Sequence, residues 1–193
     1  VFVGEAGQLE IDQPEPEKGP QGFVTAPGMF SHKMIDAGSA LLVAHLPRDA
    51  WGALADFGCG WGYLTVEALK IANASHVTLI DAHAPSLEAA QANVVAHHPG
   101  VSCATHWLDI ATEALPEKYD TIIMNPPFHT GDQTDVKLGV AFIEKASRAL
   151  KPGGRLLMVA NRQLPYENVL NQHFRRWQEL ASDNRFKALV AVR

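Results

Sequence analysis

The chain has 193 residues, of which 47% are hydrophobic and 19% charged, and its formal net charge is −5. This length suits one globular domain with a substantial core, and the composition excludes a disordered tail or a fibre. Two cysteines are too few for a disulfide scaffold, and no apolar run approaches the ~20 residues that span a bilayer. We therefore expect a reduced cytoplasmic protein without a membrane segment.

The N-terminal stretch is acidic and rich in proline. Glu5, Glu10 and Asp12 stand where a signal peptide has basic and then apolar residues, so no signal peptide is expected. Residues 12–28 hold four prolines, which remove backbone donors and disfavour helix. We predict an extended or linker-like arm over residues 1–27 and one domain over residues 28–193. Because the chain begins at Val1 rather than Met, we expect a fragment or a short relative of a longer protein.

After the arm, the hydrophobic pattern alternates between strand and helix. The predicted helices cover residues 32–46, 62–72, 85–97 and 135–150, and the predicted strands cover residues 53–57, 76–81, 101–107, 119–125, 155–160, 177–180 and 186–192. Alternation of this kind predicts an α/β fold with a seven-stranded, mostly parallel sheet, helices on both faces and an antiparallel C-terminal strand. Ligands bind at the carboxyl ends of such strands, so the residues that follow each strand are the candidates for function.

The first of these segments is rich in glycine. Gly58, Gly60 and Gly62 alternate directly after the first strand, where they allow a tight turn and bring bare backbone close to a ligand beside a helix N-terminus. The spacing differs from the dinucleotide pattern G-x-G-x-x-G, and no P-loop lysine follows, so NAD and ATP fit poorly. A tight turn without a ligand is the alternative interpretation of the glycines alone.

Acidic residues accompany the glycines. Asp81 ends the second strand, where a carboxylate can accept both hydrogen bonds of a ribose diol, and Asp109 follows the third strand, where it can accept one from an adenine amine. Either residue alone is explained as a helix cap or a turn residue. With Asp56 before the glycines, acids accompany three successive strands, and this pattern favours a ligand site.

These residues resemble the class I methyltransferases, and the resemblance covers the chain from about Phe23 onward. It implies a Rossmann-like fold with S-adenosyl-L-methionine as the cofactor and S-adenosyl-L-homocysteine as the product. In that family the glycine stretch lies around the methionine part, the second-strand acid holds the ribose and the third-strand acid meets the adenine. The resemblance implies the following cofactor-binding residues: Asp56, Gly58, Cys59, Gly60, Asp81, Ala82, Asp109 and Asn125.

The most specific motif, N-P-P-F, follows the fourth strand as Asn125, Pro126, Pro127 and Phe128. Adjacent prolines fix φ and lack an N–H, so the turn is rigid and exposes carbonyls. The Asn125 side-chain oxygen and the Pro126 carbonyl can accept hydrogen bonds from one planar amine, and Phe128 offers a face for stacking. Such acceptors stabilise the positive charge that develops as nitrogen attacks a sulfonium methyl. The motif therefore predicts N-methylation with these four catalytic residues, whereas a proline-rich strand end with a core Phe is the alternative.

The N-P-P-F form is typical of rRNA guanine-N2 methyltransferases and of protein-glutamine methyltransferases. Residues 27–42, 125–131, 159–170 and 183–191 resemble the catalytic half of bacterial rRNA (guanine-N2)-methyltransferases of the RsmC and RlmG type. The resemblance implies methyl transfer to the exocyclic N2 amine of a guanine, with ribosomal RNA or a ribosomal subunit as the partner and no metal. It also implies that Phe30, Ser31, Asp36, Gly38 and Ser39 close over the cofactor. His129 either lines the base pocket or hydrogen-bonds within its loop.

The basic residues are concentrated near the C-terminus. Residues 151–193 hold eight basic and three acidic residues, which form either one face that meets phosphates or a scatter of solvated charges. Two other functions stay open at this point. One is a protein-glutamine or small-molecule N-methyltransferase, which the acidic total fits, and the other is a non-catalytic module that binds RNA or the cofactor. The intact glycines, acids and Asn125 argue against the second.

Overall fold

The computed structural model describes residues 15–49, 51–74, 76–127, 129–130, 133–134 and 136–193, and it describes only the backbone of residues 129, 130, 133 and 134. The helices are α1 (Ala37–Ala44), α2 (Tyr63–Leu69), α3 (Ala84–His97), α4 (Val136–Ala149) and α5 (Glu167–His173). The strands are β1 (Glu17–Lys18), β2 (Val24–Thr25), β3 (Leu54–Phe57), β4 (His76–Asp81), β5 (Ser102–Trp107), β6 (Tyr119–Met124), β7 (His129–Thr130), β8 (Gln133–Thr134), β9 (Leu150–Asn161), β10 (Arg176–Ser182) and β11 (Phe186–Val192).

Seven strands form the central sheet in the order β10-β11-β9-β6-β3-β4-β5. Strands β9, β6, β3, β4 and β5 run parallel, whereas β11 is antiparallel to both of its neighbours. The prediction of a mostly parallel seven-stranded sheet with an antiparallel C-terminal strand is confirmed. After β3 the chain builds outward through β4 and β5, and it then returns to the other side of β3 as β6. The carboxyl ends of β3 and β6 therefore flank the switch point at which open α/β sheets bind ligands.

Helices cover both faces of the sheet, as predicted, because successive side chains of the central strands point to opposite sides. On β6, Ile123 belongs to the apolar cluster that holds α1, α2 and α3, whereas its neighbour Ile122 belongs to the cluster that holds α4 and α5. Leu157 and Leu156 divide in the same way on β9. All four side chains are buried, so the sheet lies between two hydrophobic layers. Among the described residues, no helix is both long and apolar enough to cross a membrane.

The N-terminal segment packs onto the helical layer through one aromatic side chain. Phe23 is 1% exposed, and its ring lies 5.1 Å from that of Trp61 and 4.9 Å from that of His97. The Asn93 amide on α3 accepts a hydrogen bond from Val24 N and donates to the carbonyls of Val24 and Trp61. Residues 23–26 therefore belong to the packed structure, whereas their composition favoured an extended arm. The predicted domain boundary at residue 27 stays a prediction.

Local features explain where the other elements depart from their predicted bounds. The helix expected from residue 32 begins at Ala37, because Ser31 has a φ of 53° and the Asp36 side chain caps the helix by accepting from Ser39 N. Strand β9 begins five residues early and changes register on the way, at a stretch where Gly153 has a φ of 79°. Strand β5 is an edge strand, so its Cys103 is only half-buried. Helix α5 was not predicted.

Candidate active site

A cleft of about 390 Å³ opens at the carboxyl ends of the parallel strands, and this volume is in the range of small-molecule sites. An adjoining recess shares part of its wall. The cleft brings together these residues predicted from the sequence: Phe30, Gly58, Gly60, Asp81, Ala82, Asp109, Asn125, Pro126 and Pro127. The recess adds Ser31, Asp36, Ser39 and Cys59. Segments between Gly28 and Phe142 thus converge on the predicted edge of the sheet.

The glycine loop between β3 and α2 presents its backbone to this cleft. Gly58, Gly60 and Gly62 have φ values of 71°, 52° and 86°, a region that favours glycine. A Cβ atom on Gly60 would meet nothing within 4 Å, so the loop faces open space there. A Cβ on Gly62 would lie 3.0 Å from Ala90 Cα, so this glycine permits the close packing of α2 on α3. The motif thus serves two purposes, an open ligand-facing surface and a tight helix contact.

Asp81 fixes the glycine loop from the end of β4. Its Oδ2 accepts a hydrogen bond of 2.8 Å from Gly60 N, and its Oδ1 accepts one of 2.9 Å from His83 N. The residue stays half-buried at the cleft wall. Because each carboxylate oxygen can accept more than one hydrogen bond, Asp81 can still receive two donors from a ligand.

Asp109 organises the turn after β5. Its Oδ1 accepts from Ala111 N at 2.9 Å, and its Oδ2 accepts from Thr112 Oγ1 at 2.8 Å. The residue also lines the cleft. Asp109 is thus a turn residue whose carboxylate keeps spare acceptor capacity towards the cavity.

Asp56 lies beneath the loop and is fully buried. Its Oδ2 accepts a hydrogen bond of 2.6 Å from Thr65 Oγ1, whereas its Oδ1 has no partner among the described residues. Burial raises the pKa of Asp56 to about 7, the Thr65 hydrogen bond opposes this rise, and the Asp81 charge adds to it. Asp56 lines neither the cleft nor the recess, so it supports the loop from below.

Cys59 is buried within the glycine loop. Burial raises the pKa of its thiol well above the ordinary value, and the nearby charges of Asp56 and Asp81 raise it further. A thiol held in its neutral form is a poor nucleophile. Cys59 is therefore not an activated nucleophile.

Asn125 stands directly after β6 and is held by the first turn of α1. Its Nδ2 donates to Asp36 Oδ2 at 2.9 Å and to Ser39 Oγ at 2.8 Å. Its Oδ1 is buried and accepts no hydrogen bond from the described residues. Asp36 and Ser39, which were expected to close over the cofactor, thus also contact the residue predicted to hold the amine.

The remaining predicted residues lie in different surroundings. The Phe30 side chain is 65% exposed, and its carbonyl accepts a hydrogen bond of 2.9 Å from Trp61 Nε1. Gly38 lines neither cavity, since it is buried against Phe186, whose ring a Cβ would approach to 3.0 Å. Phe128 and the side chain of His129 lie outside the described residues.

Several residues line the cleft that were not predicted. His83 and Ser86 begin α3, and the His83 ring nitrogen Nδ1 lies 2.8 Å from Ser86 Oγ. Their position directly after Asp81 was a usable signal. Leu108 and Ile110 flank Asp109 in the same way. Phe142 on α4 also lines the cleft, but it does not follow a strand. Its place in the hydrophobic pattern of the helix indicates only a core residue.

The basic C-terminal quarter does not form one face. Strand register places Arg155 and Arg176 at the ends of their strands that lie away from the cleft. Arg162 directly follows β9 and Arg185 directly precedes β11, and both of these strand ends lie on the cleft side. Lys187 is 3% exposed and bonds to Glu167 and to a backbone carbonyl. The hypothesis of a single phosphate-binding tail is therefore wrong, because pairing and burial divide these charges.

A model of the family described as Methyltransferase small domain matches residues 21–190. The chain belongs to this family. Ribosomal RNA small subunit methyltransferase C of Sodalis glossinidius is 39% identical over 168 residues, which are 87% of this chain and 47% of that protein. The protein of the same name from Escherichia coli K12 is 38% identical over 168 residues, again 87% of this chain and 48% of the relative. The chain spans about half the length of the curated relatives it matches.

Solved structures in the same fold give the second comparison. The T. thermophilus 16S rRNA N2 methyltransferase RsmC, in complex with AdoMet and guanosine, has a TM-score of 0.74 at 26% identity and covers 94% of this chain and 50% of its own. A methyltransferase from Pyrococcus furiosus has a TM-score of 0.64 at 17% identity, and the match covers 89% of this chain and 88% of that protein. At this identity the likeness shows the fold alone. The predicted Rossmann-like methyltransferase fold is confirmed.

Proposed function

We propose that this chain is the catalytic domain of an S-adenosylmethionine-dependent N-methyltransferase that methylates the exocyclic N2 amine of a guanine in ribosomal RNA. The observation that carries the proposal is Asn125 Oδ1, a buried acceptor beside the glycine loop to which no described residue donates. A buried acceptor left without a partner costs about 1–3 kcal/mol, and a substrate amine would remove that cost. The names of the rRNA methyltransferase relatives support guanine in RNA as the source of this amine.

The cleft residues fit S-adenosyl-L-methionine. Gly58 and Gly60 offer bare backbone, Asp81 can accept from a ribose diol, and Asp109 can accept from an adenine amine. Carboxylates also complement a cofactor that carries positive charge on sulfur and on its amino group. When bound, the cofactor supplies an electrophilic methyl group and leaves as S-adenosyl-L-homocysteine.

Asn125 and Pro126 perform the positioning that the reaction needs. A base amine is a poor nucleophile, because its lone pair is delocalised into the ring. Acceptors at Asn125 Oδ1 and the Pro126 carbonyl would hold both N–H bonds and stabilise the positive charge that forms on nitrogen. The amine nitrogen would form its N–C bond as the C–S bond of the cofactor breaks, the electron pair would stay on sulfur, and the proton of the methylated nitrogen would pass to solvent. Phe128 stacking on the base, the rigid turn at Pro127 and His129 near the base are part of the same proposal.

An RNA substrate places its own demands on the surface around the cleft. The target base must leave its stack to reach the methyl group, so we expect an unpaired guanine in ribosomal RNA or a ribosomal subunit. Arg162 and Arg185 lie at the cleft side of the sheet and are candidates for phosphate contacts. A cytoplasmic location, where this substrate is met, belongs to the same proposal.

Methyl transfer from labelled cofactor tests the proposal directly. The 193-residue chain is incubated with ribosomal RNA and with ribosomal subunits, and the RNA is digested and separated into nucleosides. We expect label in N2-methylguanosine, together with calorimetric binding of S-adenosylmethionine. A folded sample that binds no cofactor would contradict the central claim. Label in a glutamine-containing peptide or a small amine, with none in RNA, would favour the alternative substrates.

Salt dependence gives an independent test of the RNA substrate. Phosphate contacts release counterions, so activity on RNA at limiting concentration should fall steeply between about 50 and 200 mM salt. The binding of the cofactor alone, measured over the same range, provides the control. An activity that does not respond to salt would argue against RNA.

A further inference from the structure

The amide of Asn125 is anchored by two residues that lie far from it in sequence. Its Nδ2 donates one hydrogen bond to Asp36 Oδ2 at 2.9 Å and the other to Ser39 Oγ at 2.8 Å. The same Asp36 oxygen accepts a hydrogen bond of 2.7 Å from Ser39 N and thereby caps α1. The three side chains form one connected set between the start of α1 and the end of β6.

This set determines which way the amide points. A half-turn of the Asn125 side chain would place its oxygen against Asp36, and both groups would then be acceptors. The Ser39 hydroxyl tolerates either orientation, because it can donate or accept, whereas the Asp36 carboxylate only accepts. Asp36 therefore selects the orientation with nitrogen towards α1, through a charge-assisted hydrogen bond.

In the selected orientation Oδ1 is the atom of the Asn125 amide that is not bonded to Asp36 or Ser39. This atom is buried, and no described residue donates to it. Asn125 lines both the cleft and the recess, so the residue lies at their common wall. An amide turned the other way would present N–H groups to an incoming amine, which cannot accept them while its own lone pair is needed for attack.

We infer that Asp36 and Ser39 are positioning residues for methyl transfer, which hold the Asn125 amide with its oxygen towards the substrate amine. The inference rests on the proposed function, because it assigns a task to residues around the same site. It differs from a role in holding the cofactor, since both polar side chains bond to Asn125. The rigid first turn of α1, packed through Gly38 against Phe186, supplies the fixed frame.

Kinetics of Ser39→Ala separate the two roles. The variant should lower kcat about 10-fold or more through misplacement of the amide, while the cofactor Kd from calorimetry stays within about twofold. Asp36→Ala should lower kcat further, whereas Asp36→Asn, which retains an oxygen at this position, should recover most of the loss. Ser147→Ala is the matched control, because Ser147 is a buried serine on α4 whose hydroxyl donates to the Glu144 carbonyl of the same helix. A higher cofactor Kd with unchanged kcat in Ser39→Ala would overturn the inference.

A double-mutant cycle tests whether Ser39 acts through Asn125. If it does, Ser39→Ala should have no further effect on single-turnover rates once Asn125→Ala is present. Equal effects in both backgrounds would overturn the inference. The cycle is run on whichever amine is methylated, so turnover on a peptide instead of RNA would refute the proposed substrate and leave this test intact.

The side-chain amide signal of Asn125 in a nitrogen-15 NMR spectrum gives a readout that needs no turnover. The signal is assigned by its loss in Asn125→Ala. Ser39→Ala should shift it and speed its hydrogen exchange, because one of its two hydrogen bonds is removed, and Ser147→Ala should not. An Asn125 amide signal that is unchanged in Ser39→Ala would contradict the anchoring contact itself.

Discussion

Replacing Asn125 with Asp tests the contact around which the site is built. The two side chains have nearly the same shape, but the change exchanges the Nδ2 donor for an oxygen 2.9 Å from Asp36 Oδ2 and 2.8 Å from Ser39 Oγ. An Asp at this position would keep a side-chain oxygen that can accept a hydrogen bond from an amine. We expect it to fail in this chain, because Asp36 faces it.

The distance sets the size of the effect. Two unit charges 2.9 Å apart repel by about 6 kcal/mol at an effective dielectric constant of ~20. Partial exposure of Asp36 reduces this repulsion, and the pair removes it altogether by taking up one proton. In the unfolded chain both carboxyls ionise near pH 4. The stability of the variant is therefore retained at low pH and lost as pH rises, and we expect a deficit of about 3 kcal/mol at pH 8 that shrinks towards pH 5.

Urea denaturation of the wild type and Asn125→Asp at pH 5, 6, 7 and 8 measures this deficit. The double variant Asp36→Asn/Asn125→Asp holds only one carboxylate, so its difference from the wild type should not depend on pH in this way. A deficit of Asn125→Asp that is the same at pH 5 and pH 8 would refute the reasoning. Methyl transfer by the single variant should also be lost at pH 8, where the repulsion is greatest.

Three further substitutions test buried groups outside this contact. Burial raises the pKa of Asp56 to about 7, so the stability it confers is present at low pH and lost as pH rises towards 7. Asp56→Asn should therefore gain stability relative to the wild type, by about 3 kcal/mol between pH 5 and pH 8 in denaturation curves, and an equal effect at both values would contradict this. Phe23→Ala should lower the unfolding free energy by about 3–5 kcal/mol, and a loss below about 1 kcal/mol would show that the Phe23 side chain contributes little packing. Gly62→Ala should destabilise more than Gly60→Ala in thermal unfolding, because both have positive φ but only the first would press on Ala90.

Much of the fold could be predicted because the central strands are buried on both faces. Strand β3 is fully buried and β4 nearly so, and each appears in the sequence as a short, mainly apolar segment that is followed by glycine or ends at aspartate. Helix α5 could not be found in this way, since only Val169 and Leu170 are buried along its seven residues and no period emerges. The burial of Phe23 was missed for another reason. Proline and glycine around it indicate the absence of regular structure, and they say nothing about tertiary packing.

Some features of the candidate site could be predicted from neighbouring residues in the sequence, and others depend on contacts between distant residues. Residues that follow a strand were found by position, because the carboxyl ends of parallel strands share one edge. The orientation of the Asn125 amide depends on Asp36, a residue 89 positions away, and no local pattern reports such a contact. The resemblance grouped Asp36, Gly38 and Ser39 as one element, but their surroundings differ, since Gly38 packs under Phe186 and the other two bond to Asn125.

The first turn of α1 thus connects the two halves of the candidate site. Asp36 and Ser39 line the recess that the glycine loop also lines, and they bond to the residue that begins N-P-P-F. The choice of Asn rather than Asp at position 125 then follows from electrostatics, because a carboxylate at Asp36 requires a donor opposite it. The first residue of the N-P-P-F motif in this chain is therefore determined by Asp36, which lies outside the motif. Exchanging Asn125 for Asp without changing Asp36 would bring two carboxylates together.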